Sequence, residues 1–250
     1  MAKKIKDYYD LPYADMLADK ICKAYSRFDK VEFLGLISDT LETLPFNERQ
    51  TLIAKALKQC IREDYAASIH IFQQILGPEL LGSLGMFTEG YWLWPIGRYV
   101  ELYGTQDFAV STAFSKELTK RFTGEFCMRP LIVAFPQQSM QLLLDWSKDE
   151  NKRVRRLASE CLRIRLPWAK KLYAALDHFD VYVQILSNLK EDADRTIQKS
   201  VANNLNDLYK EDVQRFEQIL AQWQSESLSK ECAWIIHHAS RSRRKKESLG

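Results

Sequence analysis

Two segments of this chain, Leu143-Leu-Asp-Trp-Ser-Lys-Asp149 and Leu186-Ser-Asn-Leu-Lys-Glu-Asp192, repeat one pattern of apolar residues closed by an aspartate. The second segment lies 43 residues after the first, and the match continues from Val154 to its counterpart Ile197. A period of about 40–47 residues, with two helices in each unit, is typical of HEAT repeats. The aspartate falls at the turn between the helices, where it can cap the second helix. This spacing predicts an all-α fold, an α-solenoid of HEAT-like helical repeats.

The earlier part of the chain also divides into helical pairs separated by glycine and proline. These pairs are predicted at Arg49–Cys60 with Tyr65–Leu76, and at Phe108–Phe122 with Glu125–Phe135. No linker-like stretch interrupts them, so we expect a single domain over residues 1–250 that ends in a basic tail at 241–250. A solenoid curves, and the second helix of each unit would line its concave surface. We therefore expect a C-shaped molecule.

Positive charge is concentrated in two stretches of a nearly neutral chain. The formal net charge is +3. Lys152–Lys171 nevertheless holds eight basic residues and one acid, and Arg241–Lys246 holds five basic residues. Uneven basic patches are typical of proteins that bind polyanions. A solvated charged surface is the alternative for the C-terminal run. We expect the concave face to be basic.

Several functional classes are disfavoured by what the sequence lacks. The five cysteines are odd in number and widely spaced, which indicates reduced thiols and no zinc site. Neither metal-ligand spacing of histidines nor a glycine-rich phosphate loop is present, so we expect no metal and no cofactor. The longest uncharged stretch, Pro130–Leu144, is too short to span a bilayer, and the N-terminus lacks a signal peptide's apolar core. We expect a cytoplasmic monomer without a membrane partner.

Three acids are candidates for chemistry. Glu160 stands among five nearby arginines, and Asp207 ends the run Ser200-Val-Ala-Asn-Asn-Leu-Asn-Asp207. Asparagine and aspartate are poor helix formers, so this run predicts a polar task and not core packing. Glu125 lies in the unit before Glu160.

The three acids can converge on the concave face if they lie on successive inner helices, where guanidinium groups would keep them ionised. Such a cluster suits stabilisation of a cationic transition state or activation of water, as in glycosidic bond cleavage. The alternative is structural: Glu160 pairs with Arg156 or Arg163, and Asp207 pairs with Lys210.

Two tryptophans offer flat surfaces for a ligand. Trp168 follows Pro167, which predicts that it begins a new helix. Trp234 is followed by His238 and Arg241 about one and two turns later. An aromatic face can hold a cation or stack on a base, and core packing is the alternative for both residues.

Four motifs in the C-terminal half resemble the HEAT-like-repeat alkylpurine DNA glycosylases, in the AlkC-type branch of the AlkC/AlkD superfamily. They are Val154-Arg-Arg-Leu-Ala-Ser-Glu160, Arg165-Leu-Pro-Trp168, Ser200-Val-Ala-Asn-Asn-Leu-Asn-Asp207 and Trp234-Ile-Ile-His-His-Ala-Ser-Arg241. The resemblance implies base excision repair of double-stranded DNA, in which cationic alkylated bases such as 3-methyladenine and, in this branch, 3-methylcytosine are hydrolysed from the sugar. It also implies catalysis without base flipping, in contrast to flipping glycosylases.

The resemblance also implies site residues and a location. The catalytic positions are Glu125, Glu160, Asp207 and Trp168. The DNA-binding positions of the family pattern fall on Arg155, Arg156 and Arg241, and we add Arg163, Arg165, Lys199, Asn203, Trp234 and His238 as candidates. The protein would be cytoplasmic and associated with the bacterial nucleoid when it engages DNA.

The chain departs from the family pattern at several positions. Cys161 and Ile164 stand where glycine and proline are usual, His237 where arginine is usual, and Ser240 where leucine is common. Cys161 adds a side chain where the backbone would approach DNA. The competing hypotheses are a non-catalytic HEAT-repeat DNA-binding protein and a protein–protein scaffold. Retention of the three acids and the tryptophan favours a glycosylase.

Overall fold

The structure is a computed structural model and describes residues 4–82, 85, 88–225 and 227–248. The described residues form helices, turns and loops without a β-strand, which confirms the predicted all-α class. The chain divides into two compact units, Met1–Pro130 and Leu131–Gly250. The expectation of one domain over residues 1–250 stays a prediction. No helix in the described ranges is long and apolar enough to cross a membrane.

The helices that begin in the first unit include the pairs predicted from the sequence. They are α1 Leu11–Ala24, α2 Lys30–Ile37, α3 Phe46–Cys60, α4 Tyr65–Ile75, α5 Trp94–Tyr103, α6 Phe108–Thr119 and α7 Glu125–Ala134, with short 3-10 turns at Ile5–Tyr8, Leu41–Thr43, Tyr91–Leu93 and Gly104–Gln106. Aspartate side chains accept a backbone N–H three residues later at the starts of α1, α2, α4 and α6. These caps satisfy backbone donors that have no partner within the helix and so fix where the helix begins.

The second unit repeats one helix–turn–helix arrangement. Its helices are α8 Pro136–Trp146, α9 Lys152–Glu160, α10 Ala174–Asp177, α11 Phe179–Leu189, α12 Arg195–Glu211, α13 Val213–Gln224, α14 Lys230–Ala239 and α15 Arg241–Glu247. Helix α8 packs on α11, and α9 packs on α12, which in turn packs on α14. Stacking of like helices from successive pairs confirms the HEAT-like repeat. The basic run expected as a tail forms α15 over most of its length, and residues 249–250 lie outside the described ranges.

The repeated aspartates shape the turns between helices. Asp149 Oδ1 accepts the backbone N–H of Asn151 at 2.8 Å, and Asp192 Oδ1 accepts that of Asp194 at 2.9 Å. Asn151 and Asp194 are themselves the N-caps of α9 and α12. The prediction that the repeated aspartate caps the helix is therefore wrong by two residues, because this aspartate closes the turn that positions the cap.

Arg155 joins one repeat to the next. Its Nη1 donates to the carbonyl oxygens of Asp149 and Glu150, each at 2.9 Å, and its Nε donates to Asp192 Oδ2 at 2.6 Å. Gln198, 43 residues later, donates from Nε2 to the Asp192 carbonyl at 2.7 Å. Equivalent positions thus brace equivalent turns, and Arg155 has a structural use. Its contact with DNA stays a prediction.

Candidate active site

Helices α9 and α12 approach closely where two serines meet. The hydroxyl oxygens of Ser159 and Ser200 lie 2.7 Å apart and both residues are buried. Small side chains let the two helices come together at this level, since nothing larger separates the backbones. Glu160, the last residue of α9, is thereby placed beside the middle of α12.

Two of the three asparagines in α12 bind the ends of neighbouring helices. Asn204 Nδ2 donates to the Ser159 carbonyl at 2.9 Å, and Asn206 Nδ2 donates to the Ala239 carbonyl at 2.7 Å. These carbonyls belong to the last turns of α9 and α14, where helices leave acceptors without a partner. The prediction that packing gives no reason for asparagine here is wrong for both residues, because their amides hold three helices together.

One guanidinium group brings two of the candidate acids together. Arg163 Nη1 donates to Glu160 Oε1 at 3.1 Å, and Arg163 Nε donates to Asp207 Oδ2 at 3.1 Å. The same Asp207 oxygen accepts the backbone N–H of Arg165 at 3.3 Å. Arg163, Glu160 and Asp207 are all buried. The carboxylates therefore lie on either side of a single planar group.

The pKa values of Glu160 and Asp207 are shifted in opposite directions. Burial alone would raise the pKa of Glu160, but the charges of Arg156 and Arg163 and a hydrogen bond from Ser200 outweigh it and hold this pKa below its ordinary value. Burial raises the pKa of Asp207 above its ordinary value, and the guanidinium of Arg163 offsets only part of that effect. Glu160 is therefore a persistent anion, and Asp207 is the more basic carboxylate.

Two further arginines of this region are also engaged with carboxylates. Arg156 Nη2 lies 3.8 Å from Glu160 Oε1, and Arg165 pairs through Nε with Glu211. The structural alternative predicted from the sequence is met for Glu160, which pairs with Arg163 and Arg156. Asp207 pairs with Arg163 in place of Lys210.

Trp168 is an exposed aromatic residue in an unusual backbone conformation. Its φ is 64° and its exposed fraction is 62%. A left-handed conformation costs a residue with a side chain about 1–2 kcal/mol. The prediction that Trp168 begins a helix is wrong, because it lies in a turn and α10 starts only at Ala174. A strained turn that presents a large aromatic to solvent favours a functional role over core packing.

The two departures nearest the acids point inward. The side chains of Cys161 and Ile164 are fully buried. Neither adds a side chain to the surface beside Glu160, so the expected crowding at Cys161 does not arise.

A second group of predicted residues gathers where α12 and α14 meet. The His238 ring stacks on Trp234, with ring centres 4.8 Å apart and planes 9° from parallel. Arg241 Nη2 donates to Asn203 Oδ1 at 2.9 Å, which joins α15 to α12. Lys199 is exposed on α12.

Sequence reasoning missed two cations of this group. The guanidinium carbon of Arg195 lies 4.1 Å from the ring centre of Trp234. Arg244 donates from Nη1 to the His237 carbonyl at 2.6 Å, beside the position where the family pattern has arginine. No sequence signal links Arg195 to Trp234, because they are 39 residues apart on different helices.

Glu125 belongs to the first unit. It is the first residue of α7 and is buried. Its convergence with Glu160 and Asp207 stays a prediction. Across the described residues, no three histidine, cysteine, aspartate or glutamate side chains group as a metal site.

Comparisons with known proteins find relatives of this HEAT-like-repeat chain. Residues 122–243 match the family described as DNA alkylation repair enzyme. The chain is 30% identical over 243 residues to the uncharacterized protein YhaZ of Bacillus subtilis (strain 168), covering 97% of this chain and 65% of that protein.

A solved structure matches over nearly the whole chain. The Pseudomonas fluorescens alkylpurine DNA glycosylase AlkC, bound to DNA containing an abasic site analog, has 29% sequence identity and a TM-score of 0.86, covering 98% of this chain and 66% of that one. The chain thus spans just under two thirds of the length of these two relatives. Residues 122–243 therefore carry the sequence pattern of the DNA alkylation repair enzyme family, and nearly the whole chain is similar in fold and sequence to AlkC.

Proposed function

We propose that this protein is a DNA glycosylase that hydrolyses the N-glycosidic bond of cationic alkylated bases in double-stranded DNA, as a step of base excision repair. Its substrates would be of the 3-methyladenine type and include 3-methylcytosine, and the base would not be flipped into a pocket. The observation that carries the proposal is the arrangement of Glu160 and Asp207 on the guanidinium of Arg163.

The chemistry of an alkylated base fits this pair of acids. Such a base already carries positive charge, so it leaves as a neutral molecule without a general acid. The sugar becomes an oxocarbenium ion as the bond breaks, and a fixed anion nearby stabilises this transition state. The lowered pKa of Glu160 keeps it ionised at neutral pH. Glu160 is the electrostatic stabiliser in this proposal.

The reaction also needs a water molecule that loses a proton. Water oxygen attacks C1′ of the sugar, the bonding electrons leave with the base, and one water proton passes to a carboxylate. A general base works best when its pKa is closer to the working pH. Burial raises the pKa of Asp207, so Asp207 is the better proton acceptor of the two.

Trp168 and the basic residues would position the DNA. Trp168 lies three residues after Arg165, whose backbone N–H binds Asp207. Its exposed ring would lie against the damaged nucleotide, since an aromatic face attracts a cation. Lys199, His238 and Arg241 would contact phosphates. Glu125 would complete the acidic cluster, and the protein would act as a monomer in the cytoplasm, near the nucleoid.

Release of methylated base from alkylated duplex DNA tests the proposal. Wild type should release the base, and Glu160→Gln and Asp207→Asn should each release it at least about 100-fold more slowly. Glu191→Gln is the matched control, because Glu191 is an exposed residue in the turn after α11. DNA binding should be unchanged in all three variants. Binding without any release by the wild type would instead support the non-catalytic DNA-binding alternative.

A further inference from the structure

Four cations of the second unit lie near Trp234 and His238 and make no salt bridge with the described residues. They are Arg195, Lys199, Arg241 and Arg244. By contrast, Arg155, Arg163 and Arg165 each pair with a carboxylate of this unit. Asp207 is the acid whose charge acts on Arg241, without a salt bridge to it. Cations that gather in this way repel one another, and the arrangement becomes favourable once an anion binds among them. We call these four cations with His238 the His238 cluster.

The imidazole of His238 is held in place within this cluster. It stacks on Trp234, whose ring also lies against the Arg195 guanidinium. Arg241 Nη1 donates to the His238 carbonyl at 2.9 Å, which ties the start of α15 to the end of α14. A fixed ring in a fixed set of charges responds to a ligand mainly through its protonation state.

The four charged groups that act most strongly on the imidazole are positive or can become so. Lys199 faces it from α12, His237 from its own helix, and Arg241 and Arg244 from α15. Burial lowers the pKa of His238 below 6.5, and these four groups lower it further. The ring is therefore neutral at neutral pH in the free protein.

We propose that the His238 cluster is a phosphodiester-binding subsite in which binding of the DNA backbone is coupled to uptake of a proton by His238. The proposal rests on the proposed function for the identity of the polyanion. A phosphate placed among these cations replaces repulsion by attraction, so the protonated imidazole becomes favourable in the complex. Since the bound form holds the proton more tightly, affinity is greatest at low pH and declines as pH rises through the pKa of the bound state.

Binding to an undamaged duplex labelled with a pH-insensitive dye tests this coupling. Fluorescence anisotropy at constant ionic strength, between about pH 5.5 and pH 8.5, should show affinity falling about threefold to tenfold across the range, as expected for a pKa shift of up to about one unit. Calorimetry in two buffers of different ionisation enthalpy should show net proton uptake near neutral pH.

Three variants separate His238 from other sources of pH dependence. His238→Gln, which keeps a polar side chain of similar length, should abolish both the affinity change and the proton uptake. His70→Gln, at an exposed site on α4, and Glu191→Gln, at the exposed turn after α11, should keep them. A pH response that persists in His238→Gln, or binding without proton uptake by the wild type, would overturn the coupling and leave the glycosylase proposal intact. Failure to bind DNA at any pH would remove both proposals.

Discussion

The Nε of Arg163 donates to Asp207 Oδ2 at 3.1 Å across 44 residues of sequence. The other end of the same guanidinium binds Glu160, three residues before Arg163 in the chain. One arginine therefore fixes the separation of two carboxylates that come from different helical repeats. It also stabilises their charges unequally, because the pKa of Glu160 is lowered and that of Asp207 is raised. Because the two pKa shifts are opposite, we expect opposite changes in stability for the isosteric variants Glu160→Gln and Asp207→Asn.

Asp207→Asn should slow excision at least about 100-fold without lowering stability at neutral pH. The raised pKa of Asp207 means that the folded state favours the neutral carboxyl. The neutral carboxyl therefore contributes to the free energy of unfolding. This contribution is complete below the unfolded-state pKa and is lost as pH rises through the folded-state pKa. Ionised Asp207 thus destabilises the fold at neutral pH. The Asp207→Asn variant should therefore melt at the same temperature as the wild type or at a higher one. Thermal denaturation and base release measured on one preparation check this. A lower melting temperature with normal release would show that Asp207 is only structural.

Glu160→Gln should lower stability in a pH-dependent way. The pKa of Glu160 in the folded protein is below 4.5, so its ionised form stabilises the fold above that pH. This stabilisation is lost as pH falls through the folded-state pKa. The difference in unfolding free energy between wild type and variant should therefore be largest at neutral pH and shrink in acid. Denaturant titrations at several pH values measure it, with Glu191→Gln as the control that should show no such trend.

The buried Asn206 of α12 should matter for stability, whereas the half-buried Asn203 should matter for DNA binding. Asn206→Ala leaves the buried Ala239 carbonyl without its donor and the Ser242 hydroxyl without its acceptor, which costs about 1–3 kcal/mol. Asn203→Ala removes only the half-buried bond to Arg241, and it should weaken DNA binding with little change in melting temperature. Equal melting temperatures for the two variants would contradict the role assigned to Asn206.

The sequence predicted the helical repeat, and the structural alternative for Glu160 included its pair with Arg163, but the second bond of Arg163, to Asp207, was not predicted. The 43-residue period was visible because apolar residues and turn aspartates recur at fixed spacing. The bond from Arg163 to Asp207 was not visible, because it depends on how the chain turns after α9. The hydrogen bonds of Asn204 and Asn206 were also not predicted, because they depend on where helices α9 and α14 end. Trp168 was misplaced at a helix start because proline permits both a helix start and a turn.

Replacement of Trp168 should reduce excision, and replacement by glycine should also relieve the backbone strain at this position. Trp168→Ala and Trp168→Gly both remove the exposed ring, so both should reduce excision. Glycine adopts a φ of 64° without a side-chain clash, whereas alanine does not. The glycine variant should therefore be more stable than the alanine variant by about 1 kcal/mol. Chemical denaturation of the two variants tests this, and greater stability of the alanine variant would mean that the turn is not strained.

Arg155 and Arg241 should differ in their effect on DNA binding, although both were predicted from the sequence to bind DNA. Arg241 makes no salt bridge with the described residues and keeps its charge for a phosphate. Each lost phosphate contact lowers the slope of log affinity against log salt concentration by about 1. Arg241→Gln should lower the slope by that amount and weaken binding equally for all sequences.

Arg155 already bonds to Asp192 and to two turn carbonyls. Arg155→Gln should therefore lower the melting temperature and leave the salt slope unchanged. Affinities of both variants measured over a range of salt concentrations decide the matter. A reduced slope in Arg155→Gln would return this residue to the DNA interface, and an unchanged slope in Arg241→Gln would remove Arg241 from it.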